Sequence, residues 1–199
     1  QWDTMLNIRD MEVSDSGDIF VVGTIDARLA DYHFESIGTI VVYGDVDQPF
    51  AGKVNSNGEW DWILLAPNHQ LTYFMSIDVH DSLGAFIGGF SQTGAGSGFM
   101  FDVYTSGGDM APSNPVSTSA DQTMDLSQMI LWVTHSGVIV DQWYGGGAAP
   151  TIGQIRDVIV DGSELHAIGM LGPSETIYGS ESDANMQNSY SSHVGYMAR

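Results

Sequence analysis

The chain has 199 residues, of which 43% are apolar, and its formal net charge of −20 rests on 25 acidic and only five basic residues. This length and composition suit a globular domain with a sizeable core, and so few Lys and Arg residues argue against nucleic acid as a partner, because phosphate binding needs clustered positive charge. The absence of cysteine excludes disulfides, thiolate zinc sites and cysteine nucleophiles.

Apolar residues alternate with polar ones or form short blocks between Gly, Ser, Asn and Asp, and they do not recur every three to four positions as in amphipathic helices. The pattern predicts an all-β protein. No apolar run approaches the roughly 20 residues of a membrane-spanning helix, so we expect no membrane insertion. In chain order, strands are predicted at Asp10–Val13, Ile19–Thr24, Ile37–Tyr43, Phe50–Val54, Trp60–Leu65, Phe74–Val79, Ala85–Phe90, Phe99–Tyr104, Met129–Thr134, Val138–Trp143, Asp157–Val160, Leu165–Met170 and Val194–Ala198.

A first sequence unit occurs three times. Arg9–Gly23, which contains "VSDSGDIFVVG", aligns without a gap on Met75–Gly89 and with one deletion on Arg156–Gly169. Each copy has a strand that ends in Val, a short acidic or Ser/Gly turn, and a second strand that ends at Gly. The recurrence predicts a β-hairpin that is repeated along the chain.

A second unit alternates with the first. "KVNSNGEWDW" at Lys53–Trp62 resembles "WVTHSGVIVDQW" at Trp132–Trp143, since both contain a strand, a polar turn with Gly, and a strand that carries Trp. Trp62 and Trp143 each precede the closing Val of the next strand by 17 positions. We therefore predict repeats of two hairpins, or four antiparallel strands.

The third repeat is divided between the two ends of the chain. His193–Arg199 resembles the strand Phe50–Asn55, and the Trp-bearing strand that should follow it lies in Gln1–Leu6. We predict a single domain over residues 1–199, with repeats at roughly 7–65, 73–143, and 154–199 plus 1–6, and with long loops at 91–128 and 172–193. Pairing of the terminal strands, within one chain or between chains, would complete the last repeat and remove an exposed sheet edge. The residues predicted for this assembly contact are Gln1, Trp2, Met5, Val194, Tyr196 and Ala198.

Two segments resemble a known family. Asp15, Ser16 and Gly17 followed by "DIFVVG", and then "FAGKVNSNGEWDW", are similar to the bacterial β-propeller repeats, often labelled SBBP, of large secreted and cell-surface proteins. The resemblance implies a β-propeller-like fold and an extracellular or cell-surface location, and its motif carries no chemistry. Three repeats are fewer than the four to eight blades that propellers usually have, which indicates either a small closed ring or association of chains.

The favoured function is that of a non-catalytic, extracellular structural or adhesive protein that forms a homo-oligomer or a filament by exchange of terminal strands. No nucleophile elbow, dinucleotide loop or P-loop motif occurs, and the six histidines never have the spacing of metal ligands. The start at Gln instead of Met favours a mature secreted product. Two alternatives are a carbohydrate-binding or glycoside-cleaving module and a fragment of a longer cell-surface propeller protein.

Candidate ligand sites come from acidic turns and from tryptophans. Two turns carry a pair of carboxylates each. Because Ca²⁺ prefers carboxylate and carbonyl oxygens, one hypothesis is that these turns bind calcium. The competing and favoured interpretation is that these Asp residues form turns by bonding their own backbone. Three tryptophans are expected to pack between sheets, and sugar stacking is the alternative. The acids are Asp15, Asp18, Asp45 and Asp47, and the tryptophans are Trp60, Trp62 and Trp143.

Overall fold

A computed structural model describes residues 6–26, 31–42, 47–66, 72–91, 101–106, 110–111, 127–146, 154–162, 164–171, 176–178, 184–187 and 194–198. Within these ranges the regular structure consists of antiparallel strands, which confirms the all-β prediction. The strands are β1 (Leu6–Val13), β2 (Ile19–Ile25), β3 (Asp31–Phe34), β4 (Gly38–Val41), β5 (Gln48–Val54), β6 (Trp60–Leu65), β7 (Tyr73–His80), β8 (Gly84–Ser91), β9 (Asp102–Thr105), β10 (Met110–Ala111), β11 (Ser127–Val133), β12 (Ile139–Gly146), β13 (Gln154–Asp161), β14 (Glu164–Leu171), β15 (Thr176–Tyr178), β16 (Ala184–Gln187) and β17 (Val194–Ala198).

The strands form three larger sheets and one separate hairpin. Sheet 1 has the order β1-β2-β5-β6-β9-β10, sheet 2 has the order β7-β8-β11-β12-β15-β16, and sheet 3 has the order β13-β14-β17. The hairpin β3–β4 stands apart. No closed barrel or propeller is detected in the described part of the chain.

The strands predicted for the first two repeats lie side by side in the predicted order, as β1-β2-β5-β6 and β7-β8-β11-β12. β9 overlaps the predicted strand Phe99–Tyr104, whereas the interpretation of residues 91–128 and 172–193 as long loops is wrong at β10, β15 and β16. The hairpin β9–β10 extends sheet 1 beyond β6, and β15–β16 extends sheet 2 beyond β12. β10, β15 and β16 have only two to four residues each, which is too short for an alternating pattern to become visible in the sequence.

Three hairpin turns share one hydrogen-bond pattern, and the first of them contains the "SDSGD" of the opening repeat. Ser14, Asn55 and Thr134 each start such a turn, and each accepts from the amide of the Gly three residues later. Their side-chain oxygens also accept from the amide four residues later, at 3.2, 3.1 and 3.1 Å respectively. The turn glycine has a φ of 82 to 86° in all three copies, a conformation that side chains other than Gly rarely adopt.

A β-bulge recurs at the start of each first hairpin. The register shifts at Arg9 in β1, at Met75 in β7 and at Arg156 in β13, the three positions that the sequence comparison placed opposite one another. The bulge moves a carbonyl over the facing strand, so that a Cβ on Gly23 would lie 2.1 Å from the oxygen of Asn7. A Cβ on Gly89 would meet the Tyr73 oxygen at 2.2 Å. The closing glycine of the repeat is therefore required by the bulge that it faces.

Three apolar cores separate the layers. The first lies between sheets 1 and 2 and includes Phe20 and Trp62 from one side and Phe74 and Ile87 from the other. The second lies on the opposite face of sheet 1, where the hairpin β3–β4 covers β2, β5 and β6. The third lies between sheets 2 and 3 and includes Ile130, Ile155, Val158 and Ala167. Sheet 2 is thus the middle layer of a stack.

Candidate functional site

Asp18, in the turn between β1 and β2, forms an ion pair with the ammonium group of Lys53. Lys53 of β5 lies 2.9 Å from Asp18 and 2.9 Å from Asp61, and its side chain is only 10% exposed. Asp18 also accepts from the Ser56 amide at 3.1 Å, which ties the β1–β2 turn to the β5–β6 turn. A calcium ion at Asp18 would have to displace Lys53, so the local geometry favours a structural ion pair.

The pKa values of this ion pair are shifted in the direction that stabilises both charges. The hydrogen bond from Lys53, together with its positive charge, lowers the pKa of Asp18 below its ordinary value of 3.8, against the opposing effect of burial. Burial disfavours the charged form of Lys53, but hydrogen bonds and attraction from Asp61 and Asp18 outweigh it, and the pKa of Lys53 is raised above 10.5. The pair is therefore charged throughout the physiological range.

The other predicted calcium ligands do not converge. The amide of Asp15 donates to the Asp81 carboxylate at 3.1 Å, and a hydrogen bond between the two carboxyl groups, reinforced by charge repulsion, raises the pKa of Asp15. Asp47 is exposed and precedes β5, and Asp45 lies outside the described residues. Where the structure describes the chain, no group of three or more acidic or histidine side chains has the geometry of a metal site.

Trp62 is a core residue. Its side chain is fully buried, packs edge-to-face on Phe20 at 6.2 Å, and donates through Nε1 to the carbonyl of His135 at 3.1 Å. Sugar stacking needs an exposed ring face, so that alternative is wrong for Trp62. Trp143 does not occupy the equivalent position, because Trp62 pairs with Lys53 whereas Asp141 pairs with Trp132. The common spacing of 17 residues therefore misaligned the two tryptophans by two positions.

The two remaining tryptophans are partly buried. Trp60 packs edge-to-face on Phe34 of the β3–β4 hairpin at 5.4 Å and contributes to the second core. Trp143 packs against the core between sheets 2 and 3. Both observations agree with the packing interpretation.

Hydrogen bonds from Trp and His side chains join β6 of sheet 1 to the β11–β12 turn of sheet 2, and join the β11–β12 hairpin to the β7–β8 hairpin within sheet 2. Besides the bond from Trp62, the side chain of His135 contacts the His80 carbonyl at 3.3 Å, and Trp132 Nε1 donates to the Leu83 carbonyl at 2.9 Å. The two indoles and the imidazole thus bond main-chain carbonyls of neighbouring hairpins. The sequence analysis missed the role of His135, whose only signal was its place inside a repeated turn.

Of the predicted contact between the two terminal strands, the structure describes only the β17 side. The backbone of β17 pairs with β14, with Val194 opposite Leu171, Tyr196 opposite Gly169 and Ala198 opposite Ala167. Sheet 3 ends at β17 in the described residues, whereas β6 and β12 continue sheets 1 and 2 at the corresponding place. The predicted partners of β17, Gln1, Trp2 and Met5, lie outside the described residues.

An apolar face of β1 is exposed. Ile8, Met11 and Val13 are 45, 56 and 50% exposed, and Leu6 beside them is 36% exposed. They lie on the same face of sheet 1 as Val21 of β2, which the β3–β4 hairpin covers. The sequence could not single out this face, since its residues have the same apolar pattern as the buried counterparts in β7 and β13.

Comparison of the chain with family models, curated proteins and solved structures finds no match. The resemblance to bacterial β-propeller repeats therefore stays a prediction. The described residues also contain no helix with the length and hydropathy needed to cross a membrane.

Proposed function

We propose that this protein is a non-catalytic, extracellular structural protein that assembles with copies of itself, and that the amino-terminal segment of one chain completes the sheet that ends in β17 of another. The observation that carries this proposal is that sheet 3 has three strands in the described residues, whereas sheets 1 and 2 have more. Sheet 3 contains counterparts of the first three strands of each repeat, and its outer strand β17 is followed by no fourth strand in the described residues.

The chemistry of a sheet edge supports strand addition. An edge strand presents unpaired amides and carbonyls, and an extended segment of another chain can pair with them while its side chains select the partner. The segment Gln1–Met5 precedes β1 directly and carries the Trp that the repeat pattern places in the missing strand. The charge of −20 on each copy favours contacts built from main-chain bonds and apolar groups over contacts between charged surfaces.

Removal of residues 1–5 from the full chain tests the proposal. The intact chain should form species heavier than its monomer mass of 21.5 kDa in sedimentation velocity and mass photometry, and the shortened chain should remain folded but lose most of this association. A synthetic peptide with the sequence of residues 1–6 should block assembly of the intact chain, whereas a scrambled peptide should not. A monodisperse 21.5 kDa species for the intact chain would refute the proposal.

A further inference from the structure

The two sheet-to-sheet interfaces within the chain use the same contact. Asp10 in β1 and Ser76 in β7 are the first residues after their bulges, and each accepts a hydrogen bond from a main-chain amide of the next sheet. Asp10 Oδ2 accepts from Ile77 of β7 at 3.0 Å, and Ser76 Oγ accepts from Val158 of β13 at 2.9 Å. Ile77 and Val158 also occupy the same position of the repeat.

The faces that receive these contacts are alike. Phe74 and Ile77 of β7 are 0 and 4% exposed beneath sheet 1, and Ile155 and Val158 of β13 are 4 and 2% exposed beneath sheet 2. Their counterparts in β1, Ile8 and Met11, have the same register relative to the bulge but no sheet above them, so they are exposed. At the sheet 1 end of the stack, the apolar face of β1 is therefore not covered by any of the described residues.

The other end of the stack carries the complementary half. Asp157 follows the bulge of β13, as Asp10 and Ser76 follow theirs, and it is exposed. Ile168 opposite Asp157, and Ile159 two residues further along β13, are 36 and 45% exposed. Large apolar side chains grouped on one exposed face commonly mark a protein contact.

We infer that a second copy of this chain docks the outer face of its β13–β14 hairpin on the apolar face of β1, and so repeats between chains the contact that β1 makes with β7 and β7 makes with β13 within one chain. The β3–β4 hairpin occupies the rest of that face of sheet 1. Asp157 of one copy then meets the main-chain amide of Met11 in the other, an amide that in the single chain donates to Oδ1 of its half-buried neighbour Asp10 at 2.9 Å. Ile168 of the first copy covers Ile8 and Met11 of the second, as its counterpart Val22, which lies opposite Asp10, packs in the first core with Phe74 and Ile77.

Two of the three bulges carry an arginine. The guanidinium of Arg9 lies over the ring of Tyr73, 5.1 Å from its centroid, across the interface between sheets 1 and 2. Its counterpart Arg156 is exposed, and in the docked pair it would lie beside Asn7 of the second copy, which has an amide where Tyr73 has a ring. The inference rests on the proposed self-assembly but involves neither residues 1–5 nor β17, so the two contacts can fail independently.

Site-directed cross-linking of the full chain tests this contact, because the native sequence has no cysteine. Met11→Cys and Ile168→Cys are both surface changes, at side chains 56 and 36% exposed. An equal mixture of the two variants, treated with a short bis-maleimide, should give a covalent dimer at least tenfold more abundant than either variant gives alone. Met11→Cys mixed with Val138→Cys is the matched control, since Val138 is 50% exposed but lies on neither face, and it should give no excess dimer.

Three results would overturn the inference. The first is no excess dimer in the Met11→Cys and Ile168→Cys mixture. The second is an equally abundant dimer from Met11→Cys alone, which would place β1 against β1. The third is an internal cross-link at monomer mass in the Met11→Cys/Ile168→Cys double variant, which would show that the two faces of one chain cover each other. Loss of association on removal of residues 1–5 with the cross-link retained would support both contacts, while an unaffected association would reject strand exchange alone.

Discussion

Lys53 is the residue on which the first turn cluster depends. It is one of five basic residues in the chain and is 10% exposed at its side chain, between the carboxylates of Asp18 and Asp61. Its ammonium also lies 5.8 Å from the centroid of the Phe20 ring, a distance at which a cation is attracted to the ring face. Removing one partner of such a buried pair leaves the other charge without compensation.

Replacement of Lys53 by Met should therefore lower the free energy of unfolding by about 3 kcal/mol at pH 7. Because the pKa of Asp18 is lowered on folding, its stabilising effect is present above 3.8 and is lost as the pH falls through the folded-state value. Because the pKa of Lys53 is raised on folding, its contribution to the free energy of unfolding is fully present below pH 10.5 and is lost as the pH rises through the folded-state value. Urea unfolding should show a large difference between parent and variant at pH 7, and this difference should decrease as the pH falls below 3.8.

The double variant Lys53→Met/Asp18→Asn is the control for charge. It removes the buried cation together with one anion and should recover part of the stability that Lys53→Met loses. An identical loss for Lys53→Met at pH 7 and pH 3 would instead assign the effect to packing of the Lys stem.

At the scale of elements, the hairpin turns of β5–β6 and β11–β12 differ in one contact. Gly58 and Gly137 have the same φ of 86°, but a Cβ on Gly58 would meet nothing within 4 Å, whereas a Cβ on Gly137 would lie 2.9 Å from Trp62 Cγ. Gly58→Ala should destabilise by about 1 kcal/mol through backbone strain alone. Gly137→Ala should cost about 1 to 3 kcal/mol more, because the buried Trp62 cannot move away. Denaturant unfolding of both variants measures the difference, and equal losses would show that Trp62 does move.

The hairpins of the repeats could be predicted from sequence because their signals are local. A polar residue, two further residues and a Gly determine the turn, and alternating apolar residues on either side define the strands. The pairing order of β1-β2-β5-β6 then followed from the succession of hairpins. By contrast, β9 pairs with β6 although more than 35 residues separate them in the chain, and no local pattern encodes that contact.

Candidate sites were harder to predict than strands because their assignment depends on burial. Trp62 and Asp18 are conspicuous in the sequence as candidate ligand residues. In the structure Trp62 lies in the core and Asp18 forms an ion pair with Lys53. Conversely, the apolar residues of β1 are ordinary in the sequence, where they resemble the core residues of β7 and β13. Only the stacking order of the sheets distinguishes an internal layer from a terminal one.

For the whole molecule, the dominant property is its charge. With a net charge of −20 on 199 residues, the acidic groups repel one another in the folded state. Salt weakens this repulsion, since the screening length is about 10 Å at 0.1 M. Raising NaCl from 20 mM to 500 mM should increase Tm by about 3 °C, or about 1 kcal/mol for a chain of this size. Calorimetry at low protein concentration measures the shift free of association.

Calcium provides the matched comparison for this salt effect. CaCl₂ at the same ionic strength as the NaCl sample should give the same Tm if the acidic turns only contribute charge. A further rise that appears with CaCl₂ and is absent with MgCl₂ would instead revive the calcium hypothesis for Asp15, Asp18, Asp45 and Asp47, because a ligand that binds only the folded state must stabilise it.

The hairpin β3–β4 covers one end of the sheet stack, and no equivalent hairpin covers sheet 3 in the described residues. The two free faces are consequently different surfaces, and a two-fold axis cannot relate copies that meet through them. A copy that docks its outer sheet 3 face on the β1 face of a neighbour leaves its own β1 face free for the next copy. A series of copies of any length therefore has a direction, with the apolar β1 face at one end and the Asp157 face at the other.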